Sequence, residues 1–296
     1  MHFGSWAVLV AARVFERLPA SVVSAIGAGL GHLYALQADV RGQLWINRVR
    51  RNVALLGREK DPRRVDRLVY AAMRNSGRVT AEMTVLEKLE KHIAMHGIER
   101  LEALGKPVVL VFSHLGNWEF ASLPFLATGQ ALVAIYAPPQ NEAAHRIAVA
   151  ARLASMRKRA PGSKLLPASP RAARELVRAA QAGENLLIAI DEERDGLVWN
   201  PPFGRKVPYA GNRMLVARIA RKFDYAIVPV SVRRRRGIAF DLTVHPQIEV
   251  VQSGDVDADI RATADRISEF FEALIRDNID QWYWLGELRM DRPFPK

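Results

Sequence analysis

The chain has 296 residues, 49% of them apolar, which is enough for a full core, and no 20-residue polar linker or internal repeat divides it. Cysteine is absent, so disulfides, thiolate nucleophiles and thiolate metal sites are excluded. Lys and Arg number 43 against 31 Asp and Glu, and a net charge of +12 implies an anionic partner such as nucleic acid, anionic lipid or a phosphorylated substrate.

Residues 1–88 read as helical, with Ala, Leu, Arg and Val common and no alternating strand pattern. The stretch Ser21 to Leu36 is 16 residues without a charge. That is shorter than the roughly 20 residues that span a bilayer. No basic segment precedes the first apolar run, Trp6 to Ala12, as it would in a signal peptide. An interfacial helical region is expected instead, with Trp6, Trp45 and the cluster Arg41, Arg48, Arg50 and Arg51 at headgroup level. The chain is expected to divide into this membrane-associating region, 1–88, and an α/β unit, 89–296. Other basic clusters are Arg63, Arg64 and Arg67, then Arg157, Lys158 and Arg159, then Arg233 to Arg236. Singly each reads as a solvated face; together they favour an anionic surface or ligand. A nucleic-acid binder built on charge alone is a weaker reading, because no RNA-binding aromatic signature or helix-turn-helix pattern accompanies it.

From residue 92 the pattern changes. Candidate strands at 92–98, 107–112, 131–136, 163–167, 185–190, 226–233 and 239–245 alternate with helical patterns at 119–128, 141–158, 170–182 and 210–222. A last amphipathic helix covers 257–279, before the aromatic segment Gln281-Trp282-Tyr283-Trp284. Strands alternating with helices predict an α/β fold, a mostly parallel central sheet flanked by helices.

Ligands of such sheets bind beyond the carboxyl ends of strands, and two polar segments fall there. One is Ser113-His114-Leu115-Gly116-Asn117-Trp118-Glu119, after the apolar run 107–112; the other is Asp191 to Asp195, after 185–190. His114 in a loop and Glu119 in the first turn of the next helix suit a base and the carboxylate that orients it, with Asn117 as cap. A His-x4-Glu spacing also occurs in ordinary capping and core positions, and Asp191 to Asp195 also fits an exposed acidic turn. That acidic segment can orient an acceptor, hold a sugar hydroxyl or pair with Arg157 or Arg159. A hard metal is the least favoured of its ligands, because no histidine stands nearby.

The segment Ser-His-Leu-Gly-Asn-Trp-Glu resembles the His-x4-Asp/Glu motif of the lysophospholipid-type acyltransferases, and within them the lipid A biosynthesis lauroyl/myristoyl acyltransferases. Tyr136-Ala-Pro-Pro139, Arg157-Lys-Arg159, Asp191 through Phe203-Gly204-Arg205, Ala226-Ile-Val-Pro-Val230 and Gln281-Trp-Tyr-Trp284 follow in the family's order. The resemblance implies a glycerolipid-acyltransferase-like fold. It also implies an O-acyltransferase at the cytoplasmic face of a bacterial inner membrane, with no cofactor. An acyl carrier protein would supply the thioester, His114 paired with Glu119 would deprotonate the acceptor, and an anionic Kdo-lipid A type precursor would receive the acyl chain. Arg157 or Arg159 and Asp191 would assist substrate binding or the oxyanion; Asn117 and Glu193 are further candidate substrate-binding residues at the same strand ends. Gly286-Glu287-Leu288-Arg289 stands where lipid A enzymes commonly carry His-Arg-Arg, so the same chemistry on another glycolipid (phosphatidylinositol mannoside-like) or a lysophospholipid, with acyl-CoA as donor, is the second reading.

Overall fold

A computed structural model describes residues 3–194, 196–292 and 294; the side chain of Trp6 and the whole of Asp195 lie outside the described residues. The helical first third comprises α1 (Phe3–Phe15), α2 (Ala20–Val40), α3 (Leu44–Leu56), α4 (Pro62–Glu82) and the short α5 (Leu86–Leu89). Helix α4 starts sharply because Asp61 caps it, accepting the Arg63 N–H, and Pro62 supplies a helical φ at the first position. Helices α2 and α4 cross in backbone contact. A Cβ on Gly77 would lie 2.2 Å from the Gly27 carbonyl oxygen, and one on Gly31 would lie 2.1 Å from the Met73 carbonyl oxygen.

The remainder runs β1 (Ile93–His96), α6 (Glu99–Glu102), β2 (Val108–Phe112), α7 (Leu123–Ala127), β3 (Leu132–Tyr136), α8 (Glu142–Arg159), β4 (Lys164–Pro167), α9 (Pro170–Gln181) and β5 (Asn185–Ala189). A small hairpin, β6 (Glu193–Arg194) and β7 (Leu197–Val198), precedes α10 (Asn212–Phe223), β8 (Ala226–Arg236), β9 (Ala239–Val244) and α11 (Val256–Asp277). The expected helix from 119 opens as a 3-10 turn, Trp118–Ser122, before α7.

The main sheet has seven strands in the order β1-β9-β8-β2-β5-β3-β4. From β8 to β4 neighbours are parallel; β9 pairs antiparallel with β8, and β1 runs parallel to β9. This is the α/β, mostly parallel sheet expected. Its central strands are near-continuous runs of Val, Leu and Ile because helices cover both faces. One core joins β2, β8 and β9 to Val23, Ala81, Val85 and Leu89 of the helical region. Another packs Ile46, Val49, Val53 and Val69 around Trp282, Leu285 and Leu288 of the C-terminal segment.

Strand β8 runs on through the arginine cluster, which the charge pattern assigned to a solvated face. Its alternation splits the cluster: Arg233 and Arg235 stay exposed and share Asp241, whereas Arg234 turns inward and is buried.

Candidate active site

Strands β2 and β5 are paired in register, with Phe112 opposite Ala189. The ladder runs one residue further, the Ile190 N–H donating to the Phe112 carbonyl at 2.9 Å. The chain then leaves the sheet at two adjacent points, and His114 and Asp191 meet. The Asp191 Oδ2 accepts the His114 backbone N–H at 2.8 Å and the Trp282 indole N–H at 2.9 Å, while Oδ1 faces His114 Nδ1 at 2.8 Å.

The Trp284 indole N–H also lies 3.2 Å from His114 Nδ1. One ring nitrogen cannot donate to a carboxylate and accept from an indole in the same tautomer. The shorter, charge-assisted contact decides it, so the hydrogen sits on Nδ1 and Trp284 merely abuts the ring. Nε2 keeps its lone pair and has no hydrogen-bond partner among the described residues. The His114 side chain is 21% exposed and Asp191 0%, so the ring is reachable and its orienting carboxylate is not. Trp118 and Trp284 present edges to the imidazole at centroid distances of 5.1 and 5.3 Å.

The turn after His114 is fixed by Gly116. Its φ is +63°, and a Cβ there would lie 2.0 Å from the Val232 carbonyl oxygen. Both the left-handed backbone and the close approach require glycine.

Several expectations are corrected here. Glu119 does not touch the imidazole: Arg152 of α8 takes both its oxygens, through Nε at 2.7 Å and Nη2 at 2.6 Å. The 3-10 turn carries Glu119 to α8, while sheet register brings Asp191 to the ring. Burial opposes the Arg152 charge, but the Glu119 carboxylate outweighs it and holds the guanidinium above its ordinary value. Asp191, expected at the substrate, is the buried partner of the imidazole.

Asn117, also expected at the substrate, is fully buried. Its oxygen caps the turn by accepting the Glu119 N–H at 3.3 Å, and its amide donates to Glu82 at 2.8 Å. Arg157 is exposed, about 140° round the helix from Arg152, and Arg159 pairs with Glu90; neither meets His114 or Asp191. Glu193 folds its carboxylate onto the Gly196 N–H at 2.6 Å and lines a cavity with Trp284. Between Asp191 and Glu193, Glu192 turns inward. Its Oε1 accepts the Asn212 N–H at 2.7 Å and its Oε2 has no partner among the described residues. Burial pushes this carboxyl up to about 7.

That cavity measures about 1090 Å³ and is mostly apolar. It runs from Tyr283 and Trp284, which pack on His114, past Met73, Gly77 and Ala81 of α4 to Phe15 of α1 and Leu30 of α2. Among the described residues no group of three or more His, Asp or Glu converges as metal ligands would.

Sequence reading missed Arg152, Asn75, Glu82 and Arg234. The available signals were helical phase for Asn75 and Glu82, seven residues and two turns apart on α4, and strand alternation for Arg234.

A family model described as bacterial lipid A biosynthesis acyltransferase matches residues 1–288. Among solved structures, the 1-acyl-sn-glycerophosphate (LPA) acyltransferase PlsC from Thermotoga maritima is similar at 15% identity. The alignment covers 84% of this chain and 98% of that one, with a TM-score of 0.32. No curated protein matches. The class is thus that of the lipid acyltransferases. Within it, the chain belongs to the bacterial lipid A biosynthesis acyltransferase family.

Proposed function

We propose that the chain moves a fatty acyl group from an acyl carrier protein thioester to a hydroxyl of a phosphorylated, Kdo-bearing lipid A precursor, with His114 as general base. The observation that carries this is the His114–Asp191 pair, which in the neutral ring puts the lone pair on Nε2, on a partly exposed imidazole beside a large apolar cavity. Nε2 takes the proton of the acceptor hydroxyl as its oxygen attacks the thioester carbonyl. The tetrahedral intermediate collapses, the C–S bond breaks, and the departing thiolate takes the proton back from the imidazolium. Asp191 holds the tautomer and stabilises the imidazolium without itself accepting the proton. The acyl chain lies between Trp284 and the helices α1, α2 and α4. Arg157 and Arg159, at the surface end of α8, meet the acidic carrier or the acceptor's phosphates.

The protein works at the cytoplasmic face of a bacterial inner membrane, lying on the bilayer. Val22, Ile26, Leu30, Leu33, Leu36 and Val40 form an exposed apolar stripe along α2, and Val10 and Val14 of α1 and Leu44 of α3 are exposed as well. No helix among the described residues is long and apolar enough to cross a membrane.

One observation favours a different acceptor. Glu193 and Glu287 line the same cavity as Trp284 and would repel a phosphate there. An acceptor with fewer anionic groups than the lipid A precursor, another glycolipid or a lysophospholipid, is therefore the second reading, and acyl-CoA is the donor that goes with it.

The test is in vitro transfer from the carrier thioester to each acceptor, read by product mass. Transfer to the lipid A precursor, abolished in His114→Ala, is expected. No transfer to that precursor, or an undiminished rate in His114→Ala, sinks the proposal.

A further inference from the structure

Below the His114 loop lies a buried polar hub that the proton transfer does not use. Its centre is the pair Glu82 of α4 and Arg234 of β8, with side chains 0% and 8% exposed. The four lone-pair sites of the Glu82 carboxylate are all filled. Oε1 accepts from Ser24 Oγ at 2.6 Å and Arg234 Nη1 at 2.8 Å; Oε2 accepts from Arg234 Nη2 at 2.7 Å and Asn117 Nδ2 at 2.8 Å. Arg234 also donates through Nε to Asn75 Oδ1 at 2.9 Å, and its guanidinium stacks on the Phe240 ring, 4.4 Å from the centroid.

The hub reaches the catalytic loop by two routes. Asn117 hangs from Glu82 directly. Asn75, held by Arg234, donates to the Gly116 carbonyl at 3.0 Å and the Gln281 carbonyl at 3.3 Å. Gln281 closes the ring: its side chain exchanges two hydrogen bonds with the Arg234 backbone, and its carbonyl accepts the Gly116 N–H at 3.1 Å. Gly116–Asn117 on one side and Gln281 on the other are the segments that lead into His114 and into Trp282–Trp284.

Replacing a buried ion pair by apolar side chains is often neutral or stabilising. Arg234 Nη1 also donates to the Gly237 carbonyl at 2.8 Å, within its own hairpin. A pair tied to both segments flanking one histidine, directly through Asn117 and by way of Asn75, is better explained by the geometry it imposes. We propose that Glu82, Arg234 and Asn75 are positioning residues. They fix the Gly116–Asn117 turn against Gln281, and so hold His114 between Asp191 and the acyl cavity. Because Ser24 belongs to α2 and Glu82 to α4, the same hub ties the seat of the apolar α2 to the imidazole. This inference rests on His114 being the base.

Two variants of the full chain test it: Asn75→Ala, which leaves no charge unpaired, and the double exchange Glu82→Met with Arg234→Met. Both are expected to stay folded by circular dichroism. A displacement of about 1 Å at a catalytic group lowers rate steeply, so kcat should fall roughly 10- to 100-fold in each, with KM for donor and acceptor within about twofold. The His114 ring signals in 1H–13C NMR, which need no substrate, should shift or broaden in both. Folded variants with unchanged kcat and unchanged His114 signals would overturn the proposal, as would a change confined to KM. If the double exchange unfolds, Asn75→Ala alone decides by the same readings. Should the native chain transfer no acyl group, the reading of His114 as base fails; the NMR arm still tells whether the hub holds the ring.

Discussion

Three carboxylates close to His114 differ in what surrounds them, and their surroundings divide the work. Asp191 faces the imidazole, Glu119 is spent on Arg152, and Glu192 is buried with one oxygen unpartnered among the described residues and the Arg194 guanidinium no closer than 3.5 Å to the other. Asp191→Asn should therefore lower kcat by roughly a thousand- to ten-thousand-fold with the fold intact, since an amide no longer selects the Nδ1–H tautomer. Steady-state kinetics beside a thermal melt checks this. Glu192 gives a pH-dependent stability. Its carboxyl titrates at about 7 in the folded chain against an ordinary 4.5, so the folded state keeps a proton that the unfolded state releases. The resulting penalty is absent below the ordinary value, grows as pH rises towards about 7 and is constant above. Glu192→Gln keeps an acceptor for the Asn212 N–H and should stabilise the chain above that range by on the order of 3 kcal/mol, with no gain in acid. Denaturant melts across pH measure it; an equal gain in acid and base would contradict it.

At the scale of elements, the packing of α2 on α4 is decided by glycine. Alanine is intrinsically the better helix residue by roughly 1 kcal/mol. At Gly77 the added methyl group would meet the Gly27 carbonyl oxygen, and the two helices would have to part. Gly77→Ala should lower stability by about 1–3 kcal/mol despite its propensity, measured by thermal denaturation. Activity should drop further than stability alone explains, because α4 carries Asn75 and Glu82 towards the loop. The elements themselves were largely legible. Apolar runs such as Val108–Phe112 and Asn185–Ala189 stand between helical stretches, and a buried parallel sheet demands that pattern. The fate of Arg233 to Arg236 was not, because a run of four like charges masks a strand whose alternate members face opposite ways.

At the scale of the whole molecule, the exposed apolar residues of α1, α2 and α3 and the net charge of +12 point at one kind of surface. Binding to vesicles containing anionic phospholipid should be strong, weaker on neutral vesicles and weakened by salt. Replacing Leu30 and Leu33 by glutamate should reduce co-sedimentation at least tenfold, since two exposed apolar anchors become repelled charges. Retention of full binding by that variant would place the contact elsewhere. The sequence by itself determined the α/β class, the strand ends that carry His114 and Asp191, and the apolar character of the first helices. Each of these is a local pattern of periodicity or composition. The tertiary structure alone decided that Asp191 rather than Glu119 meets the imidazole, that Arg152 takes Glu119, and that Arg234 is buried on Glu82. Those pairings join residues 33 to 152 positions apart, brought together by strand register and helix crossing rather than by their spacing along the chain.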